Sequence, residues 1–402
     1  MIELIKQQVV LHPSIMPQDV IKYCFQAAYG AEHLLTDIDR VRDYFLAEYE
    51  ACPKNDSQVA EFIADEVCRV NLGAWKKLSL PWEWLFNLFV EAASAGKEAV
   101  CRCQEDSLMQ PQIPCVADSD KRFLEYVNEW LSFVQENEQN LTFSFEDLQM
   151  YVQWYLAQCI DGKPSPVHHT TQYRSGERPS YRVISGSFVR LIPVLMELGK
   201  KGGANANLSR LKFANGGVIV IDGKAASGKT TLAAGLAAVI GASIVHMDDF
   251  FLPPELRTQL RLNEPGGNIH YERFAQEVLP YLKSGINSEA LPLAKPAQVW
   301  PDTPRASFDY RIFDCTTMKY SGIRNVKVSP WVIVEGSYSS HPHFSNYMDL
   351  RVFSNTDSLT QLERITARNG AETAKIFVGK WIPMEEAYFS AYQIAETADI
   401  II

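Results

Sequence analysis

Residues 217–230 read Gly-Val-Ile-Val-Ile-Asp-Gly-Lys-Ala-Ala-Ser-Gly-Lys-Thr, and they decide the fold of the second half of the chain. The stretch opens with a β-branched run, which is typical of a buried parallel strand. It then matches the pattern GxxxxGK[ST], in which the backbone N–H groups of a glycine-rich loop surround phosphates. A helix is expected to begin near Lys229, so the pattern stands in the strand–loop–helix context that it requires. We therefore predict a nucleoside triphosphate site.

The loop contains the residue types that phosphate binding needs. Gly223 and Gly228 let the backbone turn its N–H groups inward without a Cβ clash, and the N-terminus of the following helix adds partial positive charge. Lys229 is expected to reach the β- and γ-phosphates, and the Thr230 hydroxyl is expected to bind Mg²⁺. A chance glycine-rich turn is the alternative, and the flanking strand and helix argue against it.

Two further predicted strands lead into carboxylates. The strand Ser243–Met247 is followed by Asp248 and Asp249, and the apolar strand Trp331–Val334 is followed by Glu335. Ligands of open α/β sheets bind at the carboxyl ends of parallel strands. We expect Asp248 to act as general base toward an attacking hydroxyl, and Glu335 to present a carboxylate to Mg²⁺. The alternatives are an aspartate that caps a turn and a chance acidic strand end.

A basic helix follows these strands. Arg364 and Arg368 lie four residues apart on the predicted helix Leu359–Arg368 and so share one face, and Lys375 and Lys380 come after them. Basic side chains that close over phosphates would neutralise the charge that develops during phosphoryl transfer. A solvated helix face is the alternative.

Strands alternate with helices over this half, which predicts a three-layer α/β domain with a parallel sheet covered on both faces. A helix is expected over Thr231–Ile240, with Gly241 as its C-terminal cap. The predicted strands are Gly217–Asp222, Ser243–Met247, Trp331–Val334, Leu350–Phe353 and Asp399–Ile402.

The first half follows a different pattern, which predicts a mainly α-helical domain. Apolar residues recur at helical spacing in Pro17–Tyr29, Pro81–Val90, Arg122–Gln135 and Phe145–Cys159. Their aromatic side chains are expected in the core. Cys101–Asp120 is expected to form a loop, and a polar spacer is expected to link the halves. The predicted bounds are 1–200 for the helical domain, 201–215 for the linker and 216–402 for the α/β domain.

The dense polar cluster of the first half is His168–Arg182, which contains three arginines, two tyrosines and two histidines. It could hold an anionic ligand or line an interface, and a surface loop is the alternative. Adjacent histidines on a strand or helix cannot face one way, which argues against a metal site. The sequence assigns no role to this half.

Composition limits the classes of protein to consider. The 402 residues are 47% hydrophobic and 21% charged, which excludes a mostly disordered chain. Residues 1–200 contain 18 Lys+Arg and 28 Asp+Glu, whereas residues 201–402 contain 20 Lys+Arg and 20 Asp+Glu. The whole net charge of −10 therefore comes from the first half. This argues against a nucleic-acid partner. The sequence has no apolar run of about 18 residues and no signal peptide, so we expect a cytoplasmic protein with no membrane partner. It has no CxxC pattern either, and we expect its cysteines to be reduced thiols.

Four segments resemble the uridine kinase branch of the P-loop kinases, which is related to pantothenate kinase and phosphoribulokinase. They are GKAASGKTTLA at 223–233, MDDFFLP at 247–253, IVEG at 333–336 and the helix with Arg364 and Arg368. The resemblance covers somewhat under half of the chain. It implies that ATP is bound by the loop residues Gly223, Lys224, Ala225, Ala226, Ser227, Gly228, Lys229, Thr230 and Thr231.

The resemblance implies roles for further residues. Mg²⁺ is expected near Thr230 and Glu335. Asp248 is expected to be the catalytic base rather than Asp249, because the family's acid stands two residues before the aromatic Phe250. The other catalytic residues that it implies are Lys229, Arg364 and Arg368. The candidate substrate contacts are Asp249, His270, Tyr271 and Arg311.

The predicted function is ATP-dependent phosphoryl transfer to a hydroxyl of a small molecule, most like that of a uridine kinase. The chain departs from this family in three respects: Arg368 stands four residues after Arg364, Asn369–Ile376 replaces the arginine-rich lid, and the helical first half is additional. The acceptor is therefore a nucleoside, a vitamin or a sugar. The alternative function is a nucleotide-gated regulatory ATPase whose P-loop domain controls the helical half. The guanine-reading pattern NKxD and an LSGGQ-type segment are absent from the sequence.

Overall fold

The structure is a computed structural model that describes residues 2–31, 34, 37–102, 116–202, 217–282, 307–327 and 329–402. It contains two compact units, Met1–Ile192 and Pro193–Ile402. Apart from its first two residues, the predicted linker 201–215 lies outside the described residues. Among the helices that are described, none is both long enough and apolar enough to cross a bilayer.

The first unit combines helices with a small antiparallel sheet. Its helices are α1 (Ile2–Leu11), α2 (Pro17–Tyr29), α3 (Ile38–Ala51), α4 (Leu72–Lys77), α5 (Trp82–Arg102), α6 (Val116–Asn137), α7 (Phe145–Gln158) and α8 (Thr171–Glu177). Its strands are β1 (Ala60–Ala64), β2 (Val67–Asn71) and β3 (Tyr181–Ser185), in the order β1-β2-β3. The four predicted helices are confirmed as α2, α5, α6 and α7, whereas the sheet was not predicted.

The loop predicted over Cys101–Asp120 is wrong at both ends, because α5 runs to Arg102 and α6 begins at Val116, and its middle part, 103–115, lies outside the described residues. The prolines that suggested a loop, Pro111 and Pro114, both precede the start of α6 in the sequence.

The core of the first unit lies where α2, α6 and α7 pack together. Tyr23 and Trp130 are among its largest buried side chains and meet edge to face, with ring centroids 5.4 Å apart. Trp154 departs from the expectation that the aromatic residues are core, since it is 57% exposed. The buried stripe of α7 runs through Val152 and Tyr155, and Trp154 lies on a different face of the helix.

The second unit has the alternating pattern that the sequence predicts. Its helices are α9 (Leu191–Gly202, which starts just before the division), α10 (Lys229–Ile240), α11 (Gln259–Asn263), α12 (Tyr271–Glu277), α13 (Leu279–Leu282), α14 (Ser358–Asn369), α15 (Ala371–Ile376) and α16 (Ile382–Tyr392). A π-helical segment, Phe377–Trp381, joins α15 to α16. Its strands are β4 (Gly217–Gly223), β5 (Ala242–His246), β6 (Ser307–Asp314), β7 (Lys319–Lys327), β8 (Trp331–Glu335), β9 (Leu350–Ser354) and β10 (Ile400–Ile401).

Five of these strands form a parallel sheet in the order β10-β9-β4-β8-β5. The predicted parallel sheet is therefore confirmed. Apolar side chains of three neighbouring strands, β4, β8 and β5, are fully buried, including Val220, Val334 and Val245. Because β4, β8 and β5 are neighbours and run the same way, the segments that follow them meet at the carboxyl ends of these strands.

A second sheet consists of the antiparallel hairpin β6–β7, which was not predicted. Phe308 and Tyr310 on β6 are buried, whereas Asp309 and Arg311 between and after them are exposed. The hairpin therefore has one face against the core of the unit, and this face carries Tyr310 toward the carboxyl end of β5.

Candidate active site

The loop between β4 and α10 has a backbone that only certain residues can adopt. Gly223 has φ +138°, and a Cβ there would lie 2.1 Å from the carbonyl oxygen of Ser354. Gly228 has φ +94° and directly precedes Lys229, the first residue of α10. No side chain caps this helix end, so its first N–H groups are available to an anion. The loop therefore has the form of a phosphate cradle.

Lys229 lies across the loop. Its ammonium group donates hydrogen bonds of 2.8 Å to the carbonyl oxygens of Gly223 and Lys224, and the residue is only 9% exposed. An ammonium group has three N–H donors, so one remains for a ligand after these two bonds. The structure thus holds the side chain in the interior of the loop, where the sequence analysis expects it to meet phosphates.

Thr230 and Glu335 meet at the sheet edge. The Thr230 hydroxyl donates to Oε2 of Glu335 at 3.1 Å, and Glu335 is buried at the end of β8. A hydroxyl and a carboxylate are hard oxygen donors, the type that Mg²⁺ prefers. These two residues therefore fit the predicted metal.

His246 also contacts Glu335, and the sequence analysis missed it. Its Nδ1 lies 2.6 Å from Oε1 of Glu335, the oxygen that does not face Thr230. The signal for it was its place at the carboxyl end of β5, where ligands of open α/β sheets bind. The identity of its partner could not be read from the chain, since β5 and β8 are far apart in sequence.

Asp248 follows β5 in a short 3₁₀ turn. A Cβ placed on Gly336, the residue after Glu335, would lie 3.4 Å from Oδ1 of Asp248. Within the described residues its carboxylate accepts no hydrogen bond, and solvent reaches it. Desolvation by the surrounding protein and, second, the charge of Glu335 raise the pKa of Asp248. The side chain is thus an unpartnered carboxylate beside the predicted metal site.

Asp249 has a different environment. Its Oδ2 accepts hydrogen bonds of 3.0 Å from the Tyr310 hydroxyl and from Nε of Arg324, both on the hairpin. The Tyr310 oxygen also accepts the backbone N–H of His246 at 3.2 Å. Asp249 therefore ties the hairpin to the end of β5, and its predicted contact with substrate stays a prediction.

The predicted contact residues His270 and Tyr271 lie at the start of α12. Nδ1 of His270 caps the helix by accepting the N–H of Arg273 at 3.4 Å. The Tyr271 ring lies between two partners, the His343 ring at 3.9 Å between centroids and the Arg261 guanidinium 3.6 Å from its centre. Backbone bonds between 250–252 and 268–270 place this segment beside the turn that holds Asp248.

Arg311 lies on the exposed face of β6. Its Nε donates to Oε1 of Glu277 at 2.7 Å, and its backbone N–H donates to Oε2 at 2.9 Å. The structure thus occupies this guanidinium with a carboxylate of its own unit. Its role as a substrate contact is a prediction that nothing here tests.

The two predicted arginines of α14 differ in position. Nη1 of Arg364 donates to the carbonyl oxygen of Ala226 in the loop at 3.2 Å. Nε of Arg368 instead donates to Asn369 at 2.8 Å, on the exposed end of the helix. The structure therefore brings Arg364, but not Arg368, into contact with the phosphate-binding loop.

Two buried carboxylates beneath the loop were not predicted. Asp222 is 1% exposed and accepts four hydrogen bonds, from the N–H groups of Gly223, Tyr338 and Ser340 and from the hydroxyl of Tyr388. Glu385 on α16 accepts the N–H of Ala225 at 2.9 Å and the hydroxyl of Ser337 at 2.7 Å. Burial raises the pKa of both carboxyls. Each of them accepts a backbone N–H of the loop, from Gly223 and from Ala225 respectively.

No family model and no curated protein matches this sequence. Among solved structures, this chain is similar to a protein of Bacillus stearothermophilus described as a possible uridine kinase, with 20% identity and a TM-score of 0.33 over 46% of this chain and 88% of that one. It is also similar to a candidate fructose transport system kinase from Silicibacter sp. TM1040, with 19% identity and a TM-score of 0.37 over 54% of this chain and 98% of that one. Scores below 0.5 do not by themselves establish a common fold.

Proposed function

We propose that the second unit transfers the terminal phosphoryl group of ATP to a hydroxyl group of a small molecule. The observation that carries this proposal is the position of Asp248. Its unpartnered carboxylate lies beside Gly336, which directly follows the metal-site candidate Glu335 in the sequence. A P-loop protein that only binds nucleotide has no need of a free carboxylate there. A kinase needs a group that orients its acceptor hydroxyl and accepts the proton.

The proposed reaction assigns a step to each group. The acceptor oxygen attacks the γ-phosphorus, its proton passes to Asp248, and the bond to the bridging oxygen breaks to leave ADP. Lys229 and the loop N–H groups hold the phosphates, and Arg364 lies close enough to the loop to offset charge that develops there. Thr230 and Glu335 would hold Mg²⁺, which when bound neutralises phosphate charge.

The proposed acceptor is a neutral alcohol of nucleoside, vitamin or sugar type, with uridine as the first compound to test. The support for this class is the resemblance in sequence to uridine kinase and its relatives.

A coupled assay of ADP release over a panel of nucleosides, vitamins and sugars tests the proposal. We expect one class of acceptor to stimulate release, and Asp248→Asn to lower kcat by about 10²–10⁴-fold while calorimetry finds ATP affinity unchanged. The matched control is Glu363→Gln, an exposed carboxylate on α14 that should behave like the parent. Equal turnover in the parent and in Asp248→Asn would show that Asp248 is not the general base. Stimulation only by a protein or an RNA would favour the regulatory ATPase instead.

A further inference from the structure

His246 and Glu335 are direct neighbours across two parallel strands. They are Cα partners in the register of β5 and β8, in which Val245 pairs with Val334 and His246 with Glu335. Side chains of paired residues project from the same face of a sheet. The register therefore brings the imidazole to the carboxylate, and the contact between Nδ1 and Oε1 measures 2.6 Å.

The two oxygens of Glu335 have separate donors. Oε1 faces His246 and Oε2 accepts the hydroxyl of Thr230 at 3.1 Å. An ionised carboxylate has no proton to donate, so the hydrogen-bond network assigns the proton of this contact to Nδ1 of His246. The side chain of Glu335 is 5% exposed, so water cannot replace a missing partner freely.

The backbone of His246 is itself held in place. Its N–H donates to the hydroxyl of Tyr310 at 3.2 Å, and that hydroxyl donates to Asp249 at 3.0 Å. The imidazole therefore extends from a strand end that is held by other contacts, and from this fixed position it can orient the carboxylate of Glu335.

We infer that His246 is a positioning residue for the metal: it fixes the plane of the Glu335 carboxylate so that Oε2 faces the Thr230 hydroxyl. This inference rests on the proposed function, in which Thr230 and Glu335 hold Mg²⁺. Partners that orient a metal-binding side chain typically contribute 10–100-fold in metal affinity. His246 acts through Glu335 and has no assigned contact with substrate.

Two substitutions separate the hydrogen bond from the shape of the residue. His246→Leu removes the donor and retains a bulky side chain, whereas His246→Asn places an amide nitrogen close to the position of Nδ1. The probe is Mn²⁺, titrated in the presence of ATP, with free Mn²⁺ measured by electron paramagnetic resonance. We expect His246→Leu to weaken Mn²⁺ binding roughly 10–100-fold and His246→Asn to restore most of it.

A second readout is the response of activity to Mg²⁺. We expect His246→Leu to raise the Mg²⁺ concentration for half-maximal rate, while kcat at saturating Mg²⁺ stays near that of the parent. If His246→Leu does not fold, His246→Gln is compared with His246→Asn, because its amide nitrogen lies nearer the Nε2 position and should not restore binding.

The results distinguish this inference from the function on which it rests. Equal Mn²⁺ affinity in the parent and in His246→Leu, or in the Gln and Asn variants, overturns the role of His246 and leaves the kinase proposal standing. Absence of ATP-dependent Mn²⁺ binding in the parent protein, or its persistence unchanged in Glu335→Gln, overturns the metal site and with it the proposed function.

Discussion

The carboxylate of Glu385 accepts the backbone N–H of Ala225 at 2.9 Å, so α16 is joined directly to the phosphate-binding loop. The same carboxylate accepts the hydroxyl of Ser337, and Glu385 is 7% exposed. This contact fixes the backbone of the loop at Ala225.

Removal of this partner should weaken nucleotide binding. Glu385→Ala leaves the buried N–H of Ala225 without an acceptor, at a cost of about 1–3 kcal/mol, whereas the Ser337 hydroxyl can still donate to the carbonyl oxygen of Gly223. We expect ATP affinity to fall by roughly tenfold or more, measured by calorimetry, and the melting temperature to fall as well. Glu386→Ala, the exposed neighbour on the same helix, is the control. Full ATP affinity in Glu385→Ala would show that the loop holds its shape without α16.

Gly223 should tolerate no side chain. Alanine there would place a Cβ 2.1 Å from the Ser354 carbonyl at φ +138°, so the loop or β9 must move. We expect Gly223→Ala to abolish measurable ATP binding and to destabilise the protein by more than about 1 kcal/mol. Gly241→Ala is the matched control, because Gly241 also has a positive φ, +70°, but has open space around its Cα. A Gly223→Ala protein that binds ATP like the parent would contradict this account of the loop.

The activity should fall on acidification at an unusually high pH for an aspartate. Asp248 can accept a proton only when it is ionised, and desolvation followed by the charge of Glu335 raises its pKa. The rate should therefore rise with pH through a value above that of a free aspartate, about 3.9. The profile of kcat against pH, taken at saturating ATP, measures this. The residual activity of Asp248→Asn should not show this rise with pH. If the rise persists in the variant, it belongs to another titrating group.

The same shift has a consequence for stability. A carboxyl whose pKa is higher in the folded protein contributes stability below its unfolded pKa and loses it as the pH rises through the folded value. At neutral pH we therefore expect Asp248→Asn to melt at a higher temperature than the parent, with a difference that shrinks on acidification. Thermal unfolding at several pH values tests this, and a variant that is less stable than the parent at pH 7 would contradict it.

The first unit should lose stability in mild acid because of His169. Nδ1 of His169 lies 2.8 Å from Asp19 and Nε2 lies 2.7 Å from the Tyr181 hydroxyl, with the ring almost fully buried. Burial, together with the charges of Arg69 and Lys22, lowers the pKa of His169 to about 4, although Asp19 opposes the shift. Between pH 6.5 and 4 the unfolded chain then binds a proton that the folded unit does not, so folding weakens as the pH falls.

The expected loss is up to about 3 kcal/mol at pH 4, since each unit of pKa shift corresponds to about 1.4 kcal/mol. Urea unfolding of the full chain followed by tryptophan fluorescence should detect it, as Trp75 and Trp130 are buried in this unit. His169→Gln should reduce the pH dependence, whereas His168→Gln, its neighbour in sequence, should retain it. An unchanged slope in His169→Gln would assign the effect to other groups.

Local sequence patterns were enough for the sheet and the phosphate-binding loop. The strands β4 and β8 are short β-branched runs buried on both faces, and the glycines of the loop have backbone angles that follow from their residue type. The hairpin β6–β7 was missed although Phe308 and Tyr310 alternate with exposed residues. Its second strand, Lys-Tyr-Ser-Gly-Ile-Arg-Asn-Val-Lys, is mostly exposed and has no apolar alternation that would predict it without β6.

The residues that were missed are those whose partners are distant in sequence. His246 contacts Glu335 across 89 positions, and Glu385 contacts Ala225 across 160. In the first unit β3 pairs with β2 although more than 100 residues separate them, so a helical reading of each segment alone could not find the sheet. Local propensity predicts elements, whereas these contacts depend on topology.

Tyr310 joins the end of β5 to the turn that follows it. Its phenol oxygen accepts the backbone N–H of His246 and donates to the carboxylate of Asp249. A substitution of this one side chain in the hairpin would therefore disturb both contacts at once.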